Sequence, residues 1–310
     1  MHPFLESDSG AYDRSKIMTI ALICVFVVTV IIIILYLDIN NSSTRKIDIL
    51  KVGVIPDRSE ASIIATYTPL LEHIKSETGI DYELIIPPTY EGLLEMFRDK
   101  EVDMALFGAI TYAHANIKYG AIPLALRDID LKFSSVVLVT TDNPAKNIFD
   151  LKGSKFAFGT KLSTSGHLMP RYFLEEREIF AETFFDTVLY TGAHDKTAKL
   201  IRDGVVDAGV LNTKIADAMY QDGRIDTGEV KVIWESPTYA NYVWAVQPYV
   251  KELLQQQLVK AFLSLQSEND RHLKILAANS AKYYLPARNE FFKTAREIVI
   301  KLESLESEHE

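Results

Sequence analysis

Glu91-Gly92-Leu93-Leu94-Glu95-Met96-Phe97-Arg98-Asp99-Lys100-Glu101-Val102-Asp103-Met104-Ala105 has a counterpart about a hundred residues further on. There the chain reads Asp195-Lys196-Thr197-Ala198-Lys199-Leu200-Ile201-Arg202-Asp203-Gly204-Val205-Val206-Asp207-Ala208-Gly209. Each stretch is an amphipathic helix, a polar turn and a strand that begins Val-Asp, so one supersecondary unit occurs twice. That spacing predicts two similar lobes in place of one long sheet.

The surroundings of each copy repeat the theme. Upstream of the first, Ile49 to Pro56 reads as a buried strand stopped by proline, Tyr67 to Ser76 as a helix closed by Thr78-Gly79, and Tyr82 to Ile86 as a second strand. Tyr90 opens a helix to Lys100, and a short helix at Thr111 to His114 follows the strand Val102 to Gly108. Near the second copy the strands Lys155 to Phe158 and Thr187 to Tyr190 alternate with a helix from Leu168 to Glu176. Alternation with short connections implies parallel sheets covered by helices. The β-branched run Ser134 to Thr140 and the strand Tyr242 to Val246 are expected to hinge the lobes. Beyond Lys231 to Trp234 the chain turns mostly helical, at Tyr249 to Gln266, Arg271 to Ala278 and Glu290 to Glu310. The expected fold class is α/β, with lobe 1 at 48–139 and 245–310 and lobe 2 at 140–244.

Ahead of this, Ile17 to Leu37 is an apolar run of 21 residues interrupted only by Thr19 and Thr29, the length a bilayer core requires. Ala21-Leu22-Ile23 before Cys24 is a poor lipoprotein cleavage site, and the run continues well past it. An uncleaved, single-pass N-terminal transmembrane helix is therefore expected at 17–37, after a short tail at 1–16 and before a polar tether at 38–47. The folded part would then lie on the extracytoplasmic side of the inner membrane.

With 310 residues and a formal net charge of -9, the chain offers no basic surface for nucleic acid. One cysteine permits no internal disulfide, and the seven histidines form neither HExxH nor an i, i+4 pair, so neither metal nor cofactor is expected. An anion would have to be held by local donors. Gly159-Thr160-Lys161-Leu162-Ser163-Thr164-Ser165-Gly166-His167, after the apolar Phe156-Ala157-Phe158, supplies them: a strand, a hydroxyl-rich turn and then a helix. Such a turn is either a helix cap or an oxyanion cradle, since unpaired N–H groups and the macrodipole meet at a helix start. Three further strand-to-helix junctions could face the same cleft: Gly108 to Tyr112, Gly192 to Asp195, and Leu211-Asn212-Thr213. None carries the Gly-Lys-Ser/Thr of a nucleotide site. Pro170 is awkward just past the first turn of a helix capped by Ser165.

On these residues the chain from about Ile49 to Pro286 resembles the phosphonate/phosphite substrate-binding proteins of ABC transporters, the PhnD-like family, with the two-lobed type II periplasmic binding protein fold. The resemblance is carried by Val52-Gly53-Val54-Ile55-Pro56-Asp57, Thr89-Tyr90-Glu91-Gly92, Val102 to Gly108, Ser163-Thr164-Ser165-Gly166 with Pro170-Arg171-Tyr172, Gly192-Ala193-His194-Asp195, and Val232-Ile233-Trp234-Glu235-Ser236-Pro237. It implies that Ser163, Thr164, Ser165, Gly166, His194, Tyr90 and Tyr112 hold a phosphorus oxyanion, with Asn212 and Asn241 beside them. Relatives that take aminophosphonates place carboxylates near the ligand amine; here those regions read Asn212-Thr213-Lys214 and Thr238-Tyr239-Ala240-Asn241-Tyr242. A buried ammonium would lack a partner there, so phosphate, phosphite or an amine-free alkylphosphonate is expected. The implied partner is an ABC permease, or a membrane sensor kinase if the anchored protein reports ligand. A hydrolase built on Ser163 or Ser165 with His194 and Asp195 is the enzymatic rival. Against it stand the missing Gly-x-Ser-x-Gly elbow and the adjacency of His and Asp.

Overall fold

The computed structural model describes residues 22–30 and 47–307, with side chains described to residue 302. It divides into two units, 1–46 and 47–310. In the first, residues 22–30 are helical; the rest of the expected membrane span, the N-terminal tail and all but the last residue of the tether lie outside the described residues. Among the described residues no helix is long and apolar enough to cross a membrane.

The second unit carries two sheets. In chain order its elements are β1 (Ile49–Val54), α1 (Glu60–Thr78), β2 (Asp81–Ile85), α2 (Tyr90–Arg98), β3 (Met104–Phe107), α3 (Ala109–Tyr119), β4 (Ile122–Arg127), β5 (Ser135–Thr140) and β6 (Lys155–Phe158). Then come α4 (Met169–Glu175), α5 (Ala181–Phe184), β7 (Thr187–Tyr190), α6 (His194–Arg202), β8 (Ala208–Asn212), α7 (Thr213–Gln221) and β9 (Val230–Glu235). The chain returns through β10 (Val243–Val246), α8 (Glu252–Leu263), α9 (Asp270–Ala278), β11 (Tyr284–Pro286) and α10 (Lys293–Ser307).

The strand orders are β11-β4-β10-β3-β1-β2 and β7-β6-β8-β5-β9. Laid side by side, β10-β3-β1-β2 and β5-β8-β6-β7 are the same arrangement. In each, three parallel strands are joined by one antiparallel strand that has just arrived from the other sheet. The repeated Val-Asp acts identically in both. Asp103 accepts a hydrogen bond from the Lys51 N–H at the start of β1, 2.9 Å away, and returns one from its own N–H to the Lys51 carbonyl. Asp207 does the same for Lys155 at the start of β6, at 2.7 Å. A carboxylate at the head of one strand thus fixes the register of its parallel neighbour. Buried apolar side chains cover both faces of the second sheet, and the largest core cluster surrounds the first.

Two boundaries differ from expectation. Ser135–Thr140 pairs wholly within the second sheet, between β8 and β9, so it belongs to lobe 2 and does not itself hinge. The chain crosses between sheets at 128–134 and 236–242, where Phe133 and Tyr239 exchange both backbone hydrogen bonds at 2.9 Å. The crossings are thus tied by a single antiparallel bridge, and the first begins with a 3-10 turn at Asp128–Leu131. The strands β4 and β11 have no counterpart among the expected elements; each contains a proline, which weakens the strand signal and suits positions at or near a sheet edge.

The Pro170 difficulty is resolved locally. Thr164–Leu168 form a π-helical turn, and the regular α4 begins only at Met169, with Pro170 in its first positions where no backbone N–H is required.

Candidate functional site

The carboxyl ends of the parallel strands in both sheets face each other, and the helices that follow them start there. From lobe 2 come the π-turn after β6, the first turn of α6 and the first turn of α7. From lobe 1 come the start of α2, the start of α3 and the Pro56-Asp57-Arg58 corner after β1. Several helix N-termini in one buried space make a positive field without a net cationic cluster.

Ser163 caps the π-turn, its Oγ accepting from the Gly166 N–H at 3.0 Å; a cap uses the lone pair and leaves the O–H as a donor. Its side chain also hydrogen-bonds Tyr90 across the two lobes. Thr164 Oγ1 accepts from the Ile110 N–H at 2.9 Å, tying the first turn of α3 to lobe 2. Two glycines permit this closeness. A Cβ on Gly108 would lie 2.9 Å from Thr164 Oγ1, and one on Gly166 would lie 2.8 Å from Ser163 Oγ and 3.0 Å from the His194 ring.

His194 is only 1% exposed. Its Nδ1 accepts from the Asn212 N–H at 3.3 Å, so in the neutral ring the proton sits on Nε2 as a donor. Burial drives this imidazole down to about 4 despite the pull of Asp57, which keeps it neutral at physiological pH. Burial likewise raises the Tyr90 and Tyr242 phenols well above their ordinary values, so both keep their protons.

Asn212 caps α7, its Oδ1 accepting from the Ile215 N–H at 3.1 Å, while its Nδ2 donates to the Tyr242 hydroxyl at 3.3 Å. Both side-chain amide atoms of Asn241 are buried and neither has a protein partner, as is also true of Thr160 Oγ1. A Cβ on Gly108 would be 3.6 Å from its Oδ1, which puts it beside Thr164. An amide buried with nothing to bond is costly unless a ligand or water completes it.

Two calls move. Tyr112 is buried in the lobe 1 core, its hydroxyl donating to Asn289 at 2.5 Å and its ring 4.9 Å from Phe292, so its one donor is committed away from the Ser163 cluster. Ser165 lies in the turn, but its carbonyl accepts from Ser135 Oγ at 2.8 Å and its hydroxyl is engaged with Tyr239. It braces the turn from behind. Ser163, Thr164, Gly166, His194, Tyr90, Asn212 and Asn241 are brought together.

Asp57 and Tyr242, which the sequence analysis does not name as site residues, lie beside this cluster. Tyr242 donates to Asp57 Oδ2 at 2.5 Å, and Arg58 holds the same carboxylate through Nε at 3.0 Å and Nη2 at 3.2 Å. Burial alone would raise the Asp57 carboxyl, but the Arg58 charge and these hydrogen bonds carry it below its ordinary value. The available signal was an acid directly after a strand-ending proline, adjoining an arginine. Beside Asn212 and Tyr242 a cavity of about 210 Å³ leads outward between α1 and α7, rimmed by Arg58, Lys214 and Arg224.

Residues 52–292 match the sequence profile of the family described as ABC transporter, phosphonate, periplasmic substrate-binding protein. The chain belongs to that family. Over 269 residues it is 29% identical to a probable ABC transporter phosphite binding protein, PhnD1, of Prochlorococcus marinus strain MIT 9301, covering 83% of this chain and 91% of that protein. The crystal structure of PhnD1 in complex with methylphosphonate superposes with a TM-score of 0.78 and 28% identity, covering 83% of this chain and 98% of the other. A phosphate-import protein PhnD of Mycolicibacterium smegmatis is 27% identical over 209 residues, 63% of this chain and 65% of that protein. Members of this substrate-binding family are not enzymes, which removes the hydrolase reading.

Proposed function

We propose that this substrate-binding protein captures a small phosphorus oxyanion, phosphite, phosphate or an amine-free alkylphosphonate, between its two lobes and delivers it to an ABC permease. The observation that carries the reading is the convergence of uncharged donors in one buried space: the Thr164 hydroxyl, the one O–H left free by the hydrogen-bonded Ser163–Tyr90 pair, His194 Nε2–H and the unpartnered Asn241 amide. The relative of known structure was solved with methylphosphonate, which agrees with a tetrahedral anion of this size. An ammonium substituent would find Asn212 and Asn241, both neutral, and one carboxylate, Asp57, whose charge Arg58 already balances.

A thermal-shift panel tests this. Phosphite, phosphate and methylphosphonate should raise the melting temperature in a concentration-dependent way, and 2-aminoethylphosphonate should need a much higher concentration. If the aminophosphonate gives the largest shift, the amine-free assignment is wrong. We also propose that the apolar run 17–37 tethers the domain to the membrane, its support being length and composition alone. Retention of the full chain in membranes after an alkaline wash agrees with that; release into the supernatant contradicts it.

A further inference from the structure

The donors and acceptors around the cleft are not evenly distributed. On the lobe 2 side, Thr164 accepts from the Ile110 N–H and keeps its O–H as a donor, Ser163 accepts from the Gly166 N–H and shares a hydrogen bond with Tyr90 that leaves one O–H between the two, and His194 presents Nε2–H. The opposite wall is different. Tyr242 has given its only proton to Asp57 and accepts from Asn212, leaving one lone pair. Asp57 has four acceptor positions, of which Arg58 fills two and Tyr242 one, leaving one on Oδ1. What this wall still offers is acceptor capacity.

An oxyanion with every oxygen deprotonated would set lone pair against lone pair there, in a space where water cannot intervene. One P–OH group removes the conflict by donating to the wall, while the remaining oxygens take the lobe 2 donors. We propose that the site reads the proton on its ligand: the Asp57–Tyr242 pair receives a P–OH, so the bound species is a monoprotonated phosphorus oxyanion, and tetrahedral anions lacking that proton, sulfate and sulfonates, are rejected. This rests on the phosphorus-oxyanion reading and narrows it to one protonation state. Arg58 allows the arrangement, because its charge balances the carboxylate that would otherwise repel the anion.

The pocket holds one protonation state across the neutral range, so a pH slope reports the ligand. The titratable and charged groups around the Asp57–Tyr242 pair are Arg58, Tyr67, Tyr90 and His194, together with Arg127, which is paired with Asp130 and lies 5.1 Å over the Tyr242 ring. Burial raises all three phenols, and His194 is neutral above about 4. A proton on His194 Nδ1 would also be set against the Asn212 N–H that now donates to it.

Methylphosphonate and methanesulfonate form a matched pair, alike in shape but differing in whether an acidic proton is available near neutral pH. Calorimetry on the full chain from about pH 5.5 to 8.5 should show methylphosphonate affinity falling about tenfold per pH unit above the ligand's second ionisation, with methanesulfonate at least about a hundredfold weaker throughout. Asp57→Asn replaces acceptors by N–H donors of the same shape, so the slope should flatten and the sulfonate gap narrow by at least about tenfold. Tyr242→Phe, which leaves the Asp57–Arg58 pair intact, should narrow the gap less. Methylphosphonate affinity that stays level or rises as the second proton leaves overturns the inference, as do equal affinity for methanesulfonate and an Asp57→Asn protein with an unchanged slope and gap. If that variant does not fold, the wild-type pH profile decides alone. Binding of phosphorus oxyanions without the slope removes only this inference; failure of phosphite, phosphate and methylphosphonate to bind at any pH removes the functional reading with it.

Discussion

Ser163 does two things that substitution can separate. As a cap it satisfies the Gly166 N–H, and its loss there costs about 1 kcal/mol of stability. As a donor into the cleft, its loss should weaken phosphite binding by about tenfold or more, about 1.4 kcal/mol. Ser163→Ala should therefore melt a few degrees lower and bind far less tightly; a variant that loses only stability returns Ser163 to a cap. His194 and His167 give a second residue-level expectation. Burial lowers both to about 4 from the ordinary 6.5, so the unfolded chain binds protons that the folded protein does not. Stability is therefore full above about pH 6.5 and is lost as pH falls towards 4, by about 1.4 kcal/mol per pH unit for each ring. Melting temperature measured across that range should drop on acidification, and His194→Gln should make the drop shallower. An acid slope unchanged in the variant contradicts the buried neutral ring.

At the scale of elements, the repeat visible in the sequence is a repeat of strand order and of one aspartate contact. Asp103 is buried and also accepts from Tyr249 at 2.8 Å, whereas Asp207 is exposed. Asp103→Ala should consequently cost about 2 to 3 kcal/mol in urea unfolding and Asp207→Ala about 1, and equal costs would argue against a buried-acceptor role. Gly108→Ala should interfere with closure, since its Cβ would press on Thr164 Oγ1; ligand affinity should fall about tenfold while the unliganded melting temperature changes little. The alternation of strands and helices was legible because buried parallel strands and amphipathic helices have distinct periods. The proline-bearing β4 and β11 were not, and the start of α4 was blurred by a π-turn that no periodicity announces. The crossing lies one element before the expected hinge strand, because a β-branched run such as Ser135–Thr140 signals a strand but not which sheet it joins.

For the molecule as a whole, the lobe 2 half of the candidate site could be read in sequence, because Ser163, Thr164 and Gly166 fall within four consecutive residues and His194 opens a helix. On the lobe 1 side Tyr90 and Asn241 could be named only through the family resemblance, and Asp57 and Tyr242 could not be named as neighbours at all, since they come together only when β1 and the return crossing meet, 185 residues apart for the Tyr242–Asp57 bond. Tyr112 lies away from the cluster for the converse reason: it sits at a strand-to-helix junction, but its ring follows the inner face of α3 toward Phe292 and Asn289. In the proposed function, two lobes joined by two bridged crossings open to admit an anion and close to exclude water, and closure strengthens every uncharged donor around it. The central claim is that this interlobe cluster is the oxyanion site. Calorimetric titration of methylphosphonate into the wild-type chain and into Ser163→Ala and His194→Gln tests it most directly. One saturable site per chain, weakened at least about tenfold by each substitution, is the predicted result; undiminished affinity in both variants would contradict it.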